Sequence, residues 1–291
     1  MSLAPLGTAS MELAPAQAMA ESDRAVLRRA VRDLEHRSLA TRLSGVLGRQ
    51  VARIGSLLPA QWAAVVDDAT EKAIRVGLAA AIRSVRSGRS PEHNLWHKAA
   101  ATLSGAAGGA FGLASLPIEL PFSTLLMLRS IAAIAKAEGE DISSPETIFA
   151  CMQVFAFAGE SSEERAGMES RGLRESGYFA VRAVLAKSVT EAARYVLERG
   201  LAEEAAPVIL RVVSQIATRF GVVVSQKLAA QSVPIIGAAG GAAVNYAFID
   251  HFQTVARGHF TVRRLERIYG ADVVRAEYDA VLGEMAPTAA A

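Results

Sequence analysis

Tyr246, Asp250, Gln253 and Arg257 are separated by four, three and four residues, a spacing that places all four on one face of a single helix. Asp250 closes a 22-residue uncharged run that begins at Leu228, where a lone carboxylate would be costly to bury without a partner. The same order occurs earlier in the chain: 20 uncharged residues from Ala99 to Ile118, then Glu119, then Arg129. Glu119, Arg129, Asp250, Gln253 and Arg257 therefore form the candidate polar site. Facing a cleft, they could hold a polar head group or a partner's charged residue. Otherwise they are a structural ion-pair network where apolar helices meet water.

The histidines add little chemistry. His93 and His97 share a helical face and could ligate zinc, but no third ligand is identifiable. The His-Glu-x-x-His order of metalloproteases is absent, because Glu92 precedes the first histidine and Asn94 follows it. His251 and His259 lie eight apart with no evident partner. The single cysteine, Cys151, forbids an internal disulfide or a multi-cysteine metal site and reads as a small buried hydrophobe. No metal and no cofactor is expected.

Each uncharged run contains one short phrase, Ser104-Gly-Ala-Ala-Gly-Gly-Ala in the first and Ile236-Gly-Ala-Ala-Gly-Gly-Ala in the second, a weak two-copy repeat. Neither copy ends in the Gly-Lys-Ser/Thr of a P-loop, and neither has dinucleotide-fingerprint spacing after a strand. No Gly-x-Ser-x-Gly elbow exists either. The residues thus name no catalytic group, although a carboxylate-based site stays open. The four-residue steps Gly105/Gly109 and Gly237/Gly241 let helix backbones approach closely, in lipid or in a protein core. A membrane span needs about 20 apolar residues. Pro117 and Pro234 interrupt the runs, and the Gly/Ala composition favours a packed core or shallow insertion over a true span.

The elements that must position these residues are helices. Apolar positions recur at three- and four-residue steps (Leu27, Val31, Leu34 and onward to Ile54), and alternating strand patterns are nearly absent. Pro59 opens a second helix. Later punctuation falls at Pro117/Pro121, Gly139, Pro145, Gly159, Gly200, Pro207, Pro234, Gly258 and Gly270. The expected fold is all-α, a multi-helix bundle with two Gly/Ala-rich central helical hairpins. Residues 1–21 read as a disordered tail without the features of a signal peptide. Residues 22–285 read as a single helical domain with a candidate surface insertion at 159–177, and 286–291 as a second tail.

Composition agrees with that reading. The chain is 51% hydrophobic with a mean hydropathy of +0.25, which excludes global disorder. A net charge of +2 gives no reason to expect a nucleic-acid partner. Arginines nevertheless cluster in the first helical region. Arg24, Arg28 and Arg32 form a stripe, followed by Arg42, Arg49 and Arg53. Basic amphipathic helices bind anionic membrane surfaces, and Arg263, Arg264 and Arg267 add a second cluster. The alternative is a solvated bundle face.

Two stretches resemble the EcsC protein family. One runs through Ala107-Gly-Gly-Ala, Pro117-Ile-Glu-Leu-Pro121 and Leu128-Arg-Ser-Ile-Ala-Ala-Ile-Ala135 to Gly139-Glu-Asp. The other runs from Gln226-Lys-Leu-Ala-Ala-Gln-Ser-Val-Pro-Ile-Ile-Gly-Ala-Ala-Gly-Gly-Ala-Ala-Val-Asn245 into Phe252–Glu266. The likeness spans roughly residues 60–280. Glu119 is a departure, since the family often carries Asp there. The family takes its name from a bacterial operon that also encodes an ABC transporter implicated in protein secretion. The resemblance implies an α-helical, membrane-proximal accessory protein, and together with the uncharged runs and the basic helix it gives the leading expectation, a non-enzymatic protein linked to transport or secretion. It would be cytoplasmic, peripheral at the inner face of the cell membrane, with an anionic membrane surface or a membrane protein as partner. It supplies no catalytic residues. The rival reading is an enzyme or small-ligand or lipid-binding protein using the candidate polar site. The sequence leaves the oligomeric state open.

Overall fold

A computed structural model describes residues 18–35, 39, 60–86, 116–159, 177–199, 206–231 and 237–285. Among them are eight helices and no strand: α1 (Glu21–Glu35), α2 (Ala60–Arg86), α3 (Leu116–Ala137), α4 (Pro145–Phe157), α5 (Gly177–Arg199), α6 (Pro207–Gln231), α7 (Gly237–Tyr269) and α8 (Ala271–Met285). The protein is an all-α multi-helix bundle. The candidate insertion at 159–177 and the two terminal tails fall almost entirely outside the described residues.

The bundle is organised around α4. Ser144 caps its N-terminus, accepting a hydrogen bond from the Thr147 backbone N–H at 3.1 Å. Pro145 follows in the first turn, where its missing N–H costs nothing. Every residue from Thr147 to Phe157 is buried, so this helix is apolar all round rather than along one stripe. Helices α2, α3, α5, α6 and α7 all pack against it. Phe155 meets Phe220 of α6 edge-on at 5.0 Å and Phe252 of α7 at 5.3 Å, placing the aromatic centre where α4, α6 and α7 meet.

Two glycines set the closest approaches. A Cβ on Gly159, just past α4, would lie 2.0 Å from the backbone oxygen of Arg219 on α6. On α7, a Cβ at Gly258 would lie 2.8 Å from Leu34 Cγ of α1. Gly258 is therefore not a helix boundary, as its residue type alone implies, but the notch in α7 that seats α1. Pro121 likewise lies inside α3. Pro117 sits in the first turn, where a proline is tolerated, and Pro121 removes one further backbone bond without ending the helix. Gly237 and Gly241 fall in the opening turns of α7, while Gly105 and Gly109 lie outside the described residues.

Helices α3 and α7 run parallel in a constant register. Ser130 pairs with Gln253, Glu138 with Thr261 and Glu140 with Arg263, each pair 123 residues apart. The helix that follows the first glycine phrase and the helix that opens on the second thus lie side by side and form one polar seam.

Candidate polar site

At the N-terminal end of the seam, Glu119 in the first turn of α3 meets Lys227 of α6, Oε1 to Nζ 3.3 Å. Lys227 is buried, and its ammonium also stands over the Phe248 ring at 4.7 Å. In the middle, the Gln253 amide donates to Ser130 Oγ at 2.8 Å, beside half-buried Arg129. Asp250 and Arg257 face each other along α7 at 3.9 Å, and Arg257 donates to Thr254 Oγ1 at 3.1 Å. Tyr246 is 74% exposed.

Gln253 and Ser130 join α7 to α3 at the middle of the seam, while Glu119 and Asp250 each lie near a basic side chain. Glu119 and Asp250 hold matching places in the two repeats, yet they stand eight residues out of the α3/α7 register. At the helical rise that is roughly 12 Å along the axis. Lys227 is a basic neighbour of Glu119, and Arg257 is one of Asp250.

Beyond the C-terminus of α3 the seam becomes a dense ion cluster. Arg263 grips Glu140 with two hydrogen bonds of 2.9 and 3.0 Å; Arg267 adds another, and Thr147 Oγ1 donates at 3.2 Å. Arg264 Nε holds Glu138 at 2.8 Å. Burial alone would push the Glu140 carboxyl up, but Arg263 and Arg267 outweigh it and hold it below the ordinary carboxylate range.

The EcsC protein family model matches residues 84–265, well over half of the chain. The chain belongs to the EcsC protein family. No curated protein and no solved structure matches it. The EcsC segment is shorter than the 60–280 stretch read from the sequence. It contains both glycine phrases and nearly all of the seam, whereas α1, most of α2 and all of α8 lie outside.

A second polar group, which sequence reasoning missed, bridges the EcsC segment and its flanks. Arg182 of α5 forms a two-pronged pair with Glu266 of α7 at 2.7 and 2.8 Å, and donates to the Tyr178 hydroxyl at 3.4 Å. Tyr178 Oη lies 2.8 Å from His259 Nδ1. From the flanks, Glu35 of α1 accepts from the Tyr178 backbone N–H at 3.2 Å and from the Tyr278 hydroxyl of α8 at 2.9 Å. Burial pushes the Tyr178 hydroxyl up to about 12 and holds the His259 imidazole well below its ordinary value. His259 and Glu266 are seven apart with Arg263 between them, a one-face spacing that was visible. Their partners on α5 were not, because nothing near Tyr178 and Arg182 in the chain points to α7.

The arginine stripe of α1 is partly engaged within the fold. Arg24 reaches Glu277 at 3.1 Å and Glu284 at 2.5 Å, and Arg28 reaches Glu284 at 2.7 Å. Arg32 is exposed, and Arg42, Arg49 and Arg53 lie outside the described residues, as do His93 and His97. Among the described residues no three His, Cys, Asp or Glu side chains gather into a metal-binding group. Cys151 is buried, and burial pushes its thiol up to about 12, so it stays un-ionised.

Proposed function

We propose that the protein is a non-catalytic accessory protein of a transport or secretion process, working at the cytoplasmic face of the cell membrane. One observation carries this reading. The stretches Glu119–Ala137 of α3 and Pro207–Ala230 of α6 are long and apolar enough to cross a membrane, yet only 33% and 50% of their most apolar windows is buried in the fold. A helix whose apolar residues were all needed for the core would be buried throughout, as α4 is. Phe122, Leu125 and Leu126 of α3 are instead only half-buried, leaving apolar surface for a lipid boundary or a membrane protein. Arg29 and Arg32, exposed on α1, would meet anionic head groups.

The rival reading, an enzyme or a small-ligand or lipid-binding protein built on Glu119, Arg129, Asp250 and Arg257, has less support. Glu119 and Asp250 stand eight residues out of the α3/α7 register, roughly 12 Å along the axis, and Glu119 reaches Lys227 of α6. Flotation with vesicles decides the membrane reading. The protein is expected to co-float with anionic vesicles at low salt, and failure to do so would sink the proposal. Release by carbonate wash is the further expectation for a peripheral protein; resistance would point to a spanning one.

A further inference from the structure

Helix α1 has two attachments of different kinds. Leu27, Ala30, Val31 and Leu34 are buried, and α7 and α8 are the helices that chiefly cover α1, with Gly258 as its seat. On its outer side Arg24 and Arg28 are clasped by Glu277 and Glu284 of α8, and the Tyr269 hydroxyl donates to Asp23 at 2.7 Å. The clasp is within reach of solvent: Arg28 is 39% exposed and Glu284 46%. Surface pairs of this kind contribute little and weaken with salt, so competing anions can displace them. From Arg24 to Arg53 the chain carries eight arginines against only Asp33 and Glu35. Glu35 is buried and turned inward to Tyr178 and Tyr278.

We propose that α1 is a latch opened by an anionic lipid surface. Lipid headgroups replace Glu277 and Glu284 as partners of Arg24 and Arg28, and the apolar face of α1 moves from α7 and α8 to the acyl boundary. The proposal rests on the membrane reading above and adds its regulation. The exchange is balanced in kind, because an interfacial helix needs the same apolar face and basic flank that α1 uses to dock on the fold. Opening would uncover the surface of α7 around Gly258, which lies inside the EcsC segment, while α1 itself lies outside it. The latch thus gives a flanking element control over the family's own helices.

Two double variants break the same ion pairs from opposite sides. E277Q/E284Q frees the arginines, whereas R24Q/R28Q removes them. Flotation with phosphatidylcholine vesicles, with and without phosphatidylserine, should show E277Q/E284Q binding the anionic vesicles more tightly than wild type, by about fivefold for each arginine released. R24Q/R28Q should bind more weakly than wild type. In wild type, backbone hydrogen exchange across 271–285 should quicken with anionic vesicles and stay unchanged with neutral ones. Equal binding by the two doubles, or unchanged exchange in α8 while wild type co-floats, would overturn the latch and leave the membrane reading standing. Absence of wild-type flotation would remove both.

Discussion

The hydroxyl of Tyr178 lies 2.8 Å from Nδ1 of His259, and both side chains are wholly inside the protein. Arg182 donates to the same hydroxyl, so the phenol's one proton is directed at Nδ1. The neutral imidazole then carries its hydrogen on Nε2. Among the described residues that atom has no hydrogen-bond partner, and the imidazole ring packs against Phe157 and Phe260 with ring centroids 4.9 and 4.8 Å away. Replacing Tyr178 by Phe removes the hydroxyl and leaves both Nδ1 and an Arg182 N–H short of a partner. The expected loss of stability is about 1–3 kcal/mol, measured by urea denaturation at neutral pH. An unchanged midpoint would show that the bond contributes nothing.

His259 also makes the fold sensitive to mild acid. Its folded imidazole is held well below the ordinary 6.5 by burial, with Arg263 and Arg182 adding to the effect. The unfolded chain therefore binds a proton first as pH falls, and stability drops from about pH 6.5 downward, by at most about 1.4 kcal/mol per pH unit for this one group. His259→Gln should flatten the thermal-stability profile between pH 7 and 5 while lowering its neutral plateau. A variant with the wild-type slope would assign the acid sensitivity to other groups.

The Gly258 notch predicts a coupled pair. Gly258→Ala places a methyl 2.8 Å from Leu34 Cγ and 3.3 Å from the Ala30 carbonyl, so α1 must shift or repack. Overpacking of this kind costs about 1–3 kcal/mol. Leu34→Ala also destabilises, by cavity formation, but the double variant should be more stable than the sum of the two losses, because each change relieves the other. Additive losses in a double-mutant cycle would show that α1 and α7 do not meet there.

Helix starts were the most legible feature of the sequence, because proline has a direct backbone meaning: α2 begins after Pro59, and α4 and α6 begin at Pro145 and Pro207. Gly258 was legible only as a glycine. Whether a glycine ends a helix or admits a neighbour depends on Leu34, more than 200 residues away. The candidate site shows the same division. The one-face spacing of Asp250, Gln253 and Arg257 is local and is present in α7. The pairing of Glu119 with Lys227 depends on where the C-terminal part of α6 meets the first turn of α3, and the separation of Glu119 from Asp250 depends on their eight-residue offset from the α3/α7 register. The Arg24/Glu284 clasp was hidden for a related reason: an arginine stripe looks the same whether it faces lipid, water or a carboxylate on another helix.

Glu140 supplies the final test. Its side chain is 5% exposed and receives Arg263, Arg267 and Thr147, while Cys151 one helix turn beyond Thr147 stays un-ionised and contributes no charge. Because the folded carboxyl is held below its ordinary 4.5, its contribution is fully present above that value and is lost as pH falls through the lower, folded one. Glu140→Gln keeps the shape but removes the charge, leaving two arginines facing each other across an amide. The expected cost is about 2 kcal/mol at neutral pH, shrinking as the wild-type carboxyl is protonated, so the two unfolding curves converge in acid. A deficit of the same size at neutral pH and well below pH 4.5 would show that the loss comes from packing rather than from the charge pairs.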